Sequence, residues 1–303
     1  MTLIAILLVV LSACVHASWN LLTKRRKPTA SFFLLSSLTG ATLLSPVLFL
    51  NSNVVLNQIP LTVWMFLVIS GFCFSLYYVS LASAYRAGDL SIAYPIVRAI
   101  PVIIVLVVVV ILGRADQVSL QSVFGALLVV VGCFMIPLQR FSEWRLKNYL
   151  TLTCIMAFIA ALGTAGYSMI DDEALRYLRN DAGLAMDNTS ITLLYAGLEA
   201  LMTSVWMTLF VLLNKQSRRD FYQVIRINKF HAIVAGIGIH LSYTLVLIAF
   251  AYAQNVSYII AFHRLSIPLG AGLGVLILKE APHRPKVIGV LVVFIGLILV
   301  SLG

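Results

Sequence analysis

Apolar residues fill the chain in long blocks separated by short polar stretches. A run of about 20 apolar residues is long enough to cross the hydrocarbon core of a bilayer as a helix. Short alternating segments, which are typical of a membrane barrel, do not occur. The pattern therefore predicts an all-α integral membrane protein with ten transmembrane helices. The ten segments are 2–22, 31–50, 61–83, 91–112, 118–138, 148–170, 191–213, 230–250, 256–278 and 286–302.

Composition supports this prediction and narrows the classes of partner. Apolar residues make up 61% of the chain and charged residues only 11%, whereas a soluble domain carries about 25% charged residues. The net charge is +10, and the basic residues lie beside the predicted membrane segments. They therefore indicate an anionic lipid surface as the binding partner rather than nucleic acid. The sequence has no Gly-x-x-x-x-Gly-Lys-Ser/Thr loop, and its four cysteines fall in apolar segments. We therefore expect no metal, no cofactor and no ATP-driven pump.

Lysine and arginine are distributed unequally between the two sides of the predicted membrane domain. The connections that follow segments 1, 3, 5, 7 and 9 contain sixteen of the 21 basic residues. Basic residues accumulate on the cytoplasmic side of a membrane. The distribution predicts that both termini lie outside, in a multi-pass protein of the inner (cytoplasmic) membrane.

The chain contains two copies of a five-helix unit. Corresponding positions recur in the same order in both halves: 16–24 with 164–172, Arg98 with Arg264, and Gly125 and Gly132 with Gly289 and Gly296. An odd number of crossings per copy forces the second copy to insert upside down. We thus predict two inverted repeats, residues 1–140 and 148–303, which is an architecture of secondary transporters with a substrate site near mid-membrane.

Two arginines lie inside predicted membrane helices. Arg98 is flanked by Pro95 and Pro101, and Pro268 follows Arg264. A charge at membrane depth costs about 2.5–3.5 kcal/mol on insertion scales, so it indicates a functional site. A guanidinium suits carboxylate or phosphate, and the hypothesis is that both arginines bind an anionic group of the substrate. The alternative is a structural arginine that pairs with carbonyls or with a buried acid, or that reaches the interface.

Further candidates for substrate binding are aromatic and polar residues in the predicted helices. Aromatic walls with a few polar groups are typical of a small-molecule site, although each residue alone also fits an interfacial belt or helix packing. They are His16, Trp19, Asn20, Tyr78, Tyr94, Tyr167, Tyr243, Tyr258 and His263.

Glu199 is the candidate coupling residue, because it is the acidic residue clearly inside a predicted helix. It fits a proton carrier, a counter-ion to an arginine or a plain structural pair. Asp171, at the predicted outer end of segment 6, is expected to be an interfacial residue.

Two stretches carry a resemblance to a known family. The stretch 84–102 reads AYRAGDLSIAYPIVRAIPV, and 274–300 reads GVLILKEAPHRPKVIGVLVVFIGLILV. Together with the two five-helix copies, they resemble EamA-type transporters of the drug/metabolite transporter superfamily. Lys279 stands where the family's turn has a glycine before Glu280. The resemblance implies a secondary carrier whose cavity is lined by the helices that hold the candidate residues.

The predicted function is a secondary carrier of a small polar, anion-bearing metabolite, working by alternating access with proton coupling as an option. An amino acid, an organic acid and a phospho or phosphonate compound all fit. A multidrug exporter is the alternative, and a membrane-embedded enzyme, for which His283 is the nearest candidate residue, is a third. The expected partners are the substrate and the lipid bilayer. A homodimer, if one forms, would use the glycine-bearing segments 5 and 10.

Overall fold

The computed structural model describes residues 3–50, 58–111, 119–142, 145–180, 186–250 and 262–302, and these residues contain no strand. Eight of their helices are long and apolar enough to cross a membrane, which confirms an all-helical integral membrane protein. The helices are α1 Leu3–Arg25, α2 Ala30–Leu50, α3 Leu61–Ala87, α4 Leu90–Ile111, α5 Leu120–Met135, α6 Leu152–Asn180, α7 Asn188–Leu213, α8 Lys215–Gln223, α9 Lys229–Phe250, α10 Ser266–Leu278 and α11 Arg284–Leu302.

Two helical stretches differ from the sequence prediction. Residues 215–229 were expected to form a loop, but they form α8 and a π-helical turn, Val224–Asn228, which leads directly into α9. Residues 171–180 were expected to follow segment 6 as a loop, yet α6 continues through them. Ala174 and Leu178, spaced one helical turn apart, are fully buried, and this apolar stripe explains the longer helix. Of segment 9, residues 256–261 lie outside the described ranges.

The chain divides into two compact units. Unit 1 comprises residues 1–27, 80–162 and 238–303, and unit 2 comprises residues 28–79 and 163–237. Each unit therefore draws on both halves of the sequence. The inverted relation of 1–140 and 148–303 stays a prediction.

Within unit 1, α5 and α11 approach each other closely at glycines. A Cβ on Gly125 would lie 2.6 Å from the carbonyl oxygen of Gly296, and one on Gly132 would lie 2.7 Å from that of Gly289. The rising number on one helix meets the falling number on the other, so the pair is antiparallel. Small residues allow this backbone approach in membrane proteins, where packing drives helix association. These four glycines thus allow close packing of two helices within one chain.

The turn between α10 and α11 is fixed to the start of α4. The Glu280 carboxylate accepts hydrogen bonds from the backbone N–H groups of Leu90 at 2.6 Å and Ser91 at 2.8 Å. These are donors that a helix start leaves without an intrahelical partner. Lys279 precedes the acid with φ of 57°, a left-handed conformation that favours glycine. This conformation explains why a glycine suits this position.

The core of unit 2 is a layer of apolar side chains on α2, α3, α6 and α7. This layer packs α2 against α7. It also includes Ala174 and Leu178, from the part of α6 that extends beyond the predicted segment. Its buried members are Leu48, Ile59, Val63, Leu67, Ala174, Leu178, Ile191, Leu194, Tyr195 and Leu198.

Candidate functional site

A chain of buried hydrogen bonds in unit 1 begins at His16, in the second half of α1. The Tyr94 hydroxyl on α4 lies 2.8 Å from His16 Nδ1, and the Asn20 amide nitrogen lies 3.3 Å from the same atom. The Tyr85 hydroxyl donates to Asn20 Oδ1 at 2.6 Å. Because the Asn20 amide nitrogen can only donate, Nδ1 of His16 is the acceptor. The chain fixes the position and the tautomer of the His16 ring.

Both intramembrane arginines belong to the surroundings of this histidine. Arg98 faces the ring of His263, which packs on the ring of His16, and Arg264 directly follows His263 on the chain. The two imidazole rings are in edge contact, with centroids 5.6 Å apart, and Arg98 Nη2 lies 3.5 Å from His263 Nδ1. The predicted pair of arginines is therefore brought together by α1, α4 and the turn that precedes α10. We call His16, Tyr94, Arg98, His263 and Arg264 the arginine cluster.

Two glycines shape the walls of this cluster. A Cβ on Gly270 of α10 would lie 2.5 Å from Cε1 of Tyr94, and one on Gly238 of α9 would lie 3.0 Å from Cβ of Trp19. Trp19 in turn contacts His16 with ring centroids 5.2 Å apart. The absence of a side chain at each glycine thus makes room for an aromatic ring beside the arginine cluster.

The proline residues near the arginines have different structural settings. Pro95 and Pro101 lie inside α4, which continues through both. Each lacks the N–H that would bond to the carbonyl four residues earlier. Pro268 lies in the first turn of α10, where a backbone N–H has no intrahelical acceptor. Of these three prolines, Pro95 and Pro101 therefore remove hydrogen bonds from the interior of a helix.

A second polar group lies in unit 2 and joins three helices. Ser70 of α3 donates to Asp171 Oδ1 at 2.6 Å and lies 3.2 Å from Glu199 Oε1. The Tyr195 hydroxyl, one turn before Glu199 on α7, donates to Asp171 Oδ1 at 2.7 Å. Both carboxyl groups therefore lie within hydrogen-bond distance of the same Ser70 hydroxyl. We call Asp171 and Glu199 the carboxyl pair.

Among the described residues, the ion pairs are those of Arg176 with Glu173 and Lys286 with Asp89, and neither involves the carboxyl pair. Sequence analysis identified Glu199 but placed Asp171 at an interface. The continuation of α6 places Asp171 inside the helix and beside Glu199, and Ser70 and Tyr195 were not foreseen.

The remaining candidates are spread over both units. Tyr167 stacks on Phe74 with centroids 4.2 Å apart, and Tyr78 stacks on Phe33 at 4.7 Å, all within unit 2. Tyr243 on α9 in unit 1 is 44% exposed. Tyr258 lies outside the described residues.

Comparisons with known proteins give a family match over part of the chain and a similar fold. The model of the EamA-like transporter family matches residues 3–138. A crystal structure, described only as that of a protein, is similar to this chain with a TM-score of 0.59 and 16% sequence identity, covering 97% of this chain and 96% of the other. At that identity the likeness concerns the fold alone. A search of curated proteins found no match.

Proposed function

We propose that this chain is a secondary active carrier of a small polar metabolite that bears an anionic group. The match of residues 3–138 to the model of the EamA-like transporter family supports this proposal. Amino acids, organic acids and phospho or phosphonate compounds are the candidate substrates. The carrier moves them across the cytoplasmic membrane by alternating access, as inverted-repeat carriers do. Members of the matched family are transporters, so we propose a carrier rather than an enzyme.

One observation carries the anionic part of this proposal: Arg98 Nη2 lies 3.5 Å from His263 Nδ1, the His263 ring contacts His16, and Arg264 is the next residue on the chain. Charges are rare at membrane depth, and when they occur they mark substrate or ion pathways. Arginine presents a planar fork of donors that matches carboxylate and phosphate oxygens. An anionic substrate group would compensate positive charge that is otherwise expensive in this environment.

The multidrug exporter remains a second candidate, and the carboxyl pair is the observation that favours it. A cationic drug needs an acidic partner in the membrane, and Asp171 and Glu199 offer one without a salt-bridge partner among the described residues. We propose instead that this pair carries the coupling proton. Ser70 and Tyr195 both donate to Asp171, so Asp171 is the carboxylate and Glu199 holds the proton.

The anion proposal is tested by uptake into proteoliposomes. Arg98→Gln and Arg264→Gln are each expected to abolish uptake of a carboxylated or phosphorylated solute, because each removes one guanidinium from the cluster. Arg140→Gln, a change at an exposed position outside the cluster, is the matched control and is expected to transport normally. Unchanged uptake in both cluster variants would end the proposal, and uptake of cationic drugs alone would favour the exporter.

The coupling proposal is tested with a pH gradient across the same vesicles. Glu199→Gln and Asp171→Asn are expected to lose accumulation driven by the gradient while they keep exchange of labelled for unlabelled substrate, because exchange needs no net proton movement. Asp172→Asn alters an exposed neighbour of the pair and should behave as wild type. Gradient-driven accumulation that persists in both pair variants would exclude this site from coupling.

A further inference from the structure

We infer that residues 215–229, which form α8, the π-helical turn and the first residue of α9, bind the headgroups of anionic phospholipids at the membrane surface. We call this stretch the basic segment. Three features carry the inference: exposed cations, apolar side chains exposed among them, and a bend that directs α8 away from α9. The inference rests on the predicted inside position of this connection and does not depend on the proposed carrier function.

The basic segment has an excess of positive charge. It contains five basic residues and one acidic residue. The acid, Asp220, is partly buried and accepts a hydrogen bond from the side-chain amide of Gln216 at 2.9 Å. All the cations are exposed, and they are Lys215, Arg218, Arg219, Arg226 and Lys229. Such a cluster beside a membrane helix is typical of segments that bind anionic lipids.

The cations of α8 lie on one side of the helix. Residues three and four apart share a side, and four exposed residues follow this spacing: Lys215, Arg218, Arg219 and Tyr222. The opposite side faces the protein. There the carbonyl oxygen of Ser217 accepts a hydrogen bond from Ser31 Oγ of α2 at 2.6 Å, and Val224 is buried. The side of α8 that remains accessible is therefore the basic one.

Large apolar side chains are exposed among and beside the cations. Tyr222 is 76% exposed, Ile227 63% and Phe230, the residue after the basic segment, 69%. A helix that lies in the membrane interface combines Lys and Arg with aromatic and aliphatic side chains that enter the boundary between headgroups and acyl chains. A lipid surface offers an anionic layer for the cations and an apolar layer for these side chains. Nucleic acid offers the anionic charge but no aliphatic layer.

Two hydrogen bonds to α2 show that the chain bends between α8 and α9. Ser31 Oγ donates to the carbonyl oxygen of Ser217 at 2.6 Å, and Ser36 Oγ donates to that of Ala232 at 2.9 Å. The serines lie about 7.5 Å apart along α2, whereas the acceptors would lie about 22 Å apart in a straight helix. One straight helix cannot make both contacts. The π-helical turn Val224–Asn228 lies between them, and such turns are known sites of bends.

The bend places α8 at the membrane surface. With 22 residues, α9 is about 33 Å long, which is enough to cross the hydrocarbon core without α8. α8 leaves the axis of α9 and lies beside Ser31, in the first turn of α2. Its cations therefore lie at the level of the lipid phosphates, whose oxygens are good acceptors for guanidinium and ammonium groups.

The experiment counts the lipids bound to the purified full-length protein in a neutral detergent by native mass spectrometry. The probes are dioleoyl phosphatidylglycerol and dioleoyl phosphatidylcholine, which share their acyl chains and a phosphate but differ in net charge. We expect phosphatidylglycerol to bind about tenfold or more tightly at about 0.1 M salt, because each cation near an anionic surface contributes about fivefold. The preference should shrink at about 1 M salt, where charges are screened within about 3 Å.

Two variants with the same loss of charge assign the preference to α8. The first replaces three cations of α8 by glutamine: Lys215, Arg218 and Arg219. The second replaces three exposed cations of the connection after α5, which is predicted to lie on the same side: Arg140, Arg145 and Lys147. The first variant should lose most of the preference for phosphatidylglycerol, and the second should keep most of it. Tyr222→Ala keeps every charge and should weaken the binding of both lipids.

The unfolding temperature without added lipid shows whether each variant is folded. If the α8 variant does not fold, Arg218→Gln and Lys147→Gln supply the same comparison singly, with a loss of about fivefold expected for the first only.

Three results would overturn the inference. They are equal binding of the two lipids by the wild-type protein, a preference that persists in the α8 variant, and displacement of bound phosphatidylglycerol by a short RNA, which would assign the surface to nucleic acid. None of these measurements involves transport. A failure here therefore leaves the proposed carrier in place, and a failure of the uptake experiments leaves the lipid-binding surface in place.

Discussion

At the scale of single residues, the most unusual group outside the arginine cluster is Lys286. Lys286 lies near the beginning of α11, and the residue is only 2% exposed. Its ammonium donates to Asp89 Oδ2 at 3.0 Å and to the carbonyl oxygen of Ala281 at 2.9 Å. A buried charge is tolerated when it is paired and hydrogen-bonded, and it becomes costly when its partner is removed. The partner here is the loop residue directly before α4.

This pairing gives a prediction about stability. Asp89→Asn should lower the free energy of unfolding by about 1–3 kcal/mol, because it leaves the ammonium of Lys286 without its anion. Adding Lys286→Met should recover part of that loss, since no buried charge then remains. Thermal unfolding of the two single variants and the double variant provides the measurement. A double variant whose loss equals the sum of the single losses would contradict the pairing.

At the scale of elements, the structure explains why four glycines recur at equal spacing in two helices that are far apart in the sequence. Gly125 and Gly132 on α5 face Gly296 and Gly289 on α11 backbone to backbone. By contrast, a Cβ on Gly272 of α10 would meet no atom within 4 Å. Glycines that look alike in the sequence therefore differ in how much the packing depends on them. Only the position of the neighbouring helix shows which glycines are required.

We predict opposite effects of alanine at these two kinds of glycine. Gly132→Ala places a methyl group 2.7 Å from the Gly289 carbonyl oxygen and should destabilise the protein by about 1–3 kcal/mol through overpacking. Gly272→Ala should be neutral or stabilising by about 0.5–1 kcal/mol, since alanine is the better helix former. Unfolding temperatures in one detergent compare the two. Similar losses in both variants would show that α5 and α11 are not in contact.

At the scale of the whole molecule, the distribution of basic residues predicts which side of the membrane each loop occupies. α8, which follows α7 on the chain, carries three basic residues, Lys215, Arg218 and Arg219, and none of its residues is buried. The start of α7 is instead capped by Asp187, whose carboxylate accepts from the backbone N–H groups of Thr189 and Ser190. The side-chain hydrogen bond from Ser190, with the backbone bonds, holds the pKa of Asp187 below its usual value. The two ends of α7 therefore differ in charge.

Labelling of introduced cysteines tests the orientation. Thr189 lies in the first turn of α7 and Gln216 lies just past its other end, and both positions are exposed. We expect an impermeant maleimide added to intact cells to label the first and not the second, because basic α8 is predicted to lie inside. Both should react after the membrane is opened, and the wild-type protein with its four cysteines supplies the background. Labelling of Gln216→Cys alone would invert the topology.

Sequence reasoning recovered the parts of this molecule that local pattern encodes. Long apolar runs predicted the spanning helices, and charges inside such runs predicted Arg98 and Arg264. It missed α8 because that helix is short and polar, so it has no apolar run. It also missed the role of Asp171, because the groups that bind this carboxylate, Ser70 and Tyr195, come from helices far away in sequence. Only the packing of α3, α6 and α7 brings them together.

The fit of Tyr94 against Gly270 has a consequence for engineering this protein. The phenol occupies the volume that a methyl group at position 270 would need, so the two positions can trade size. A larger residue at 270 with a smaller one at 94 would redistribute free space beside His16 and leave every charged group untouched. For the proposed carrier, a library that varies these two positions would explore the shape of accepted solutes at constant net charge, and Tyr94→Phe would measure separately the loss of the hydrogen bond to His16.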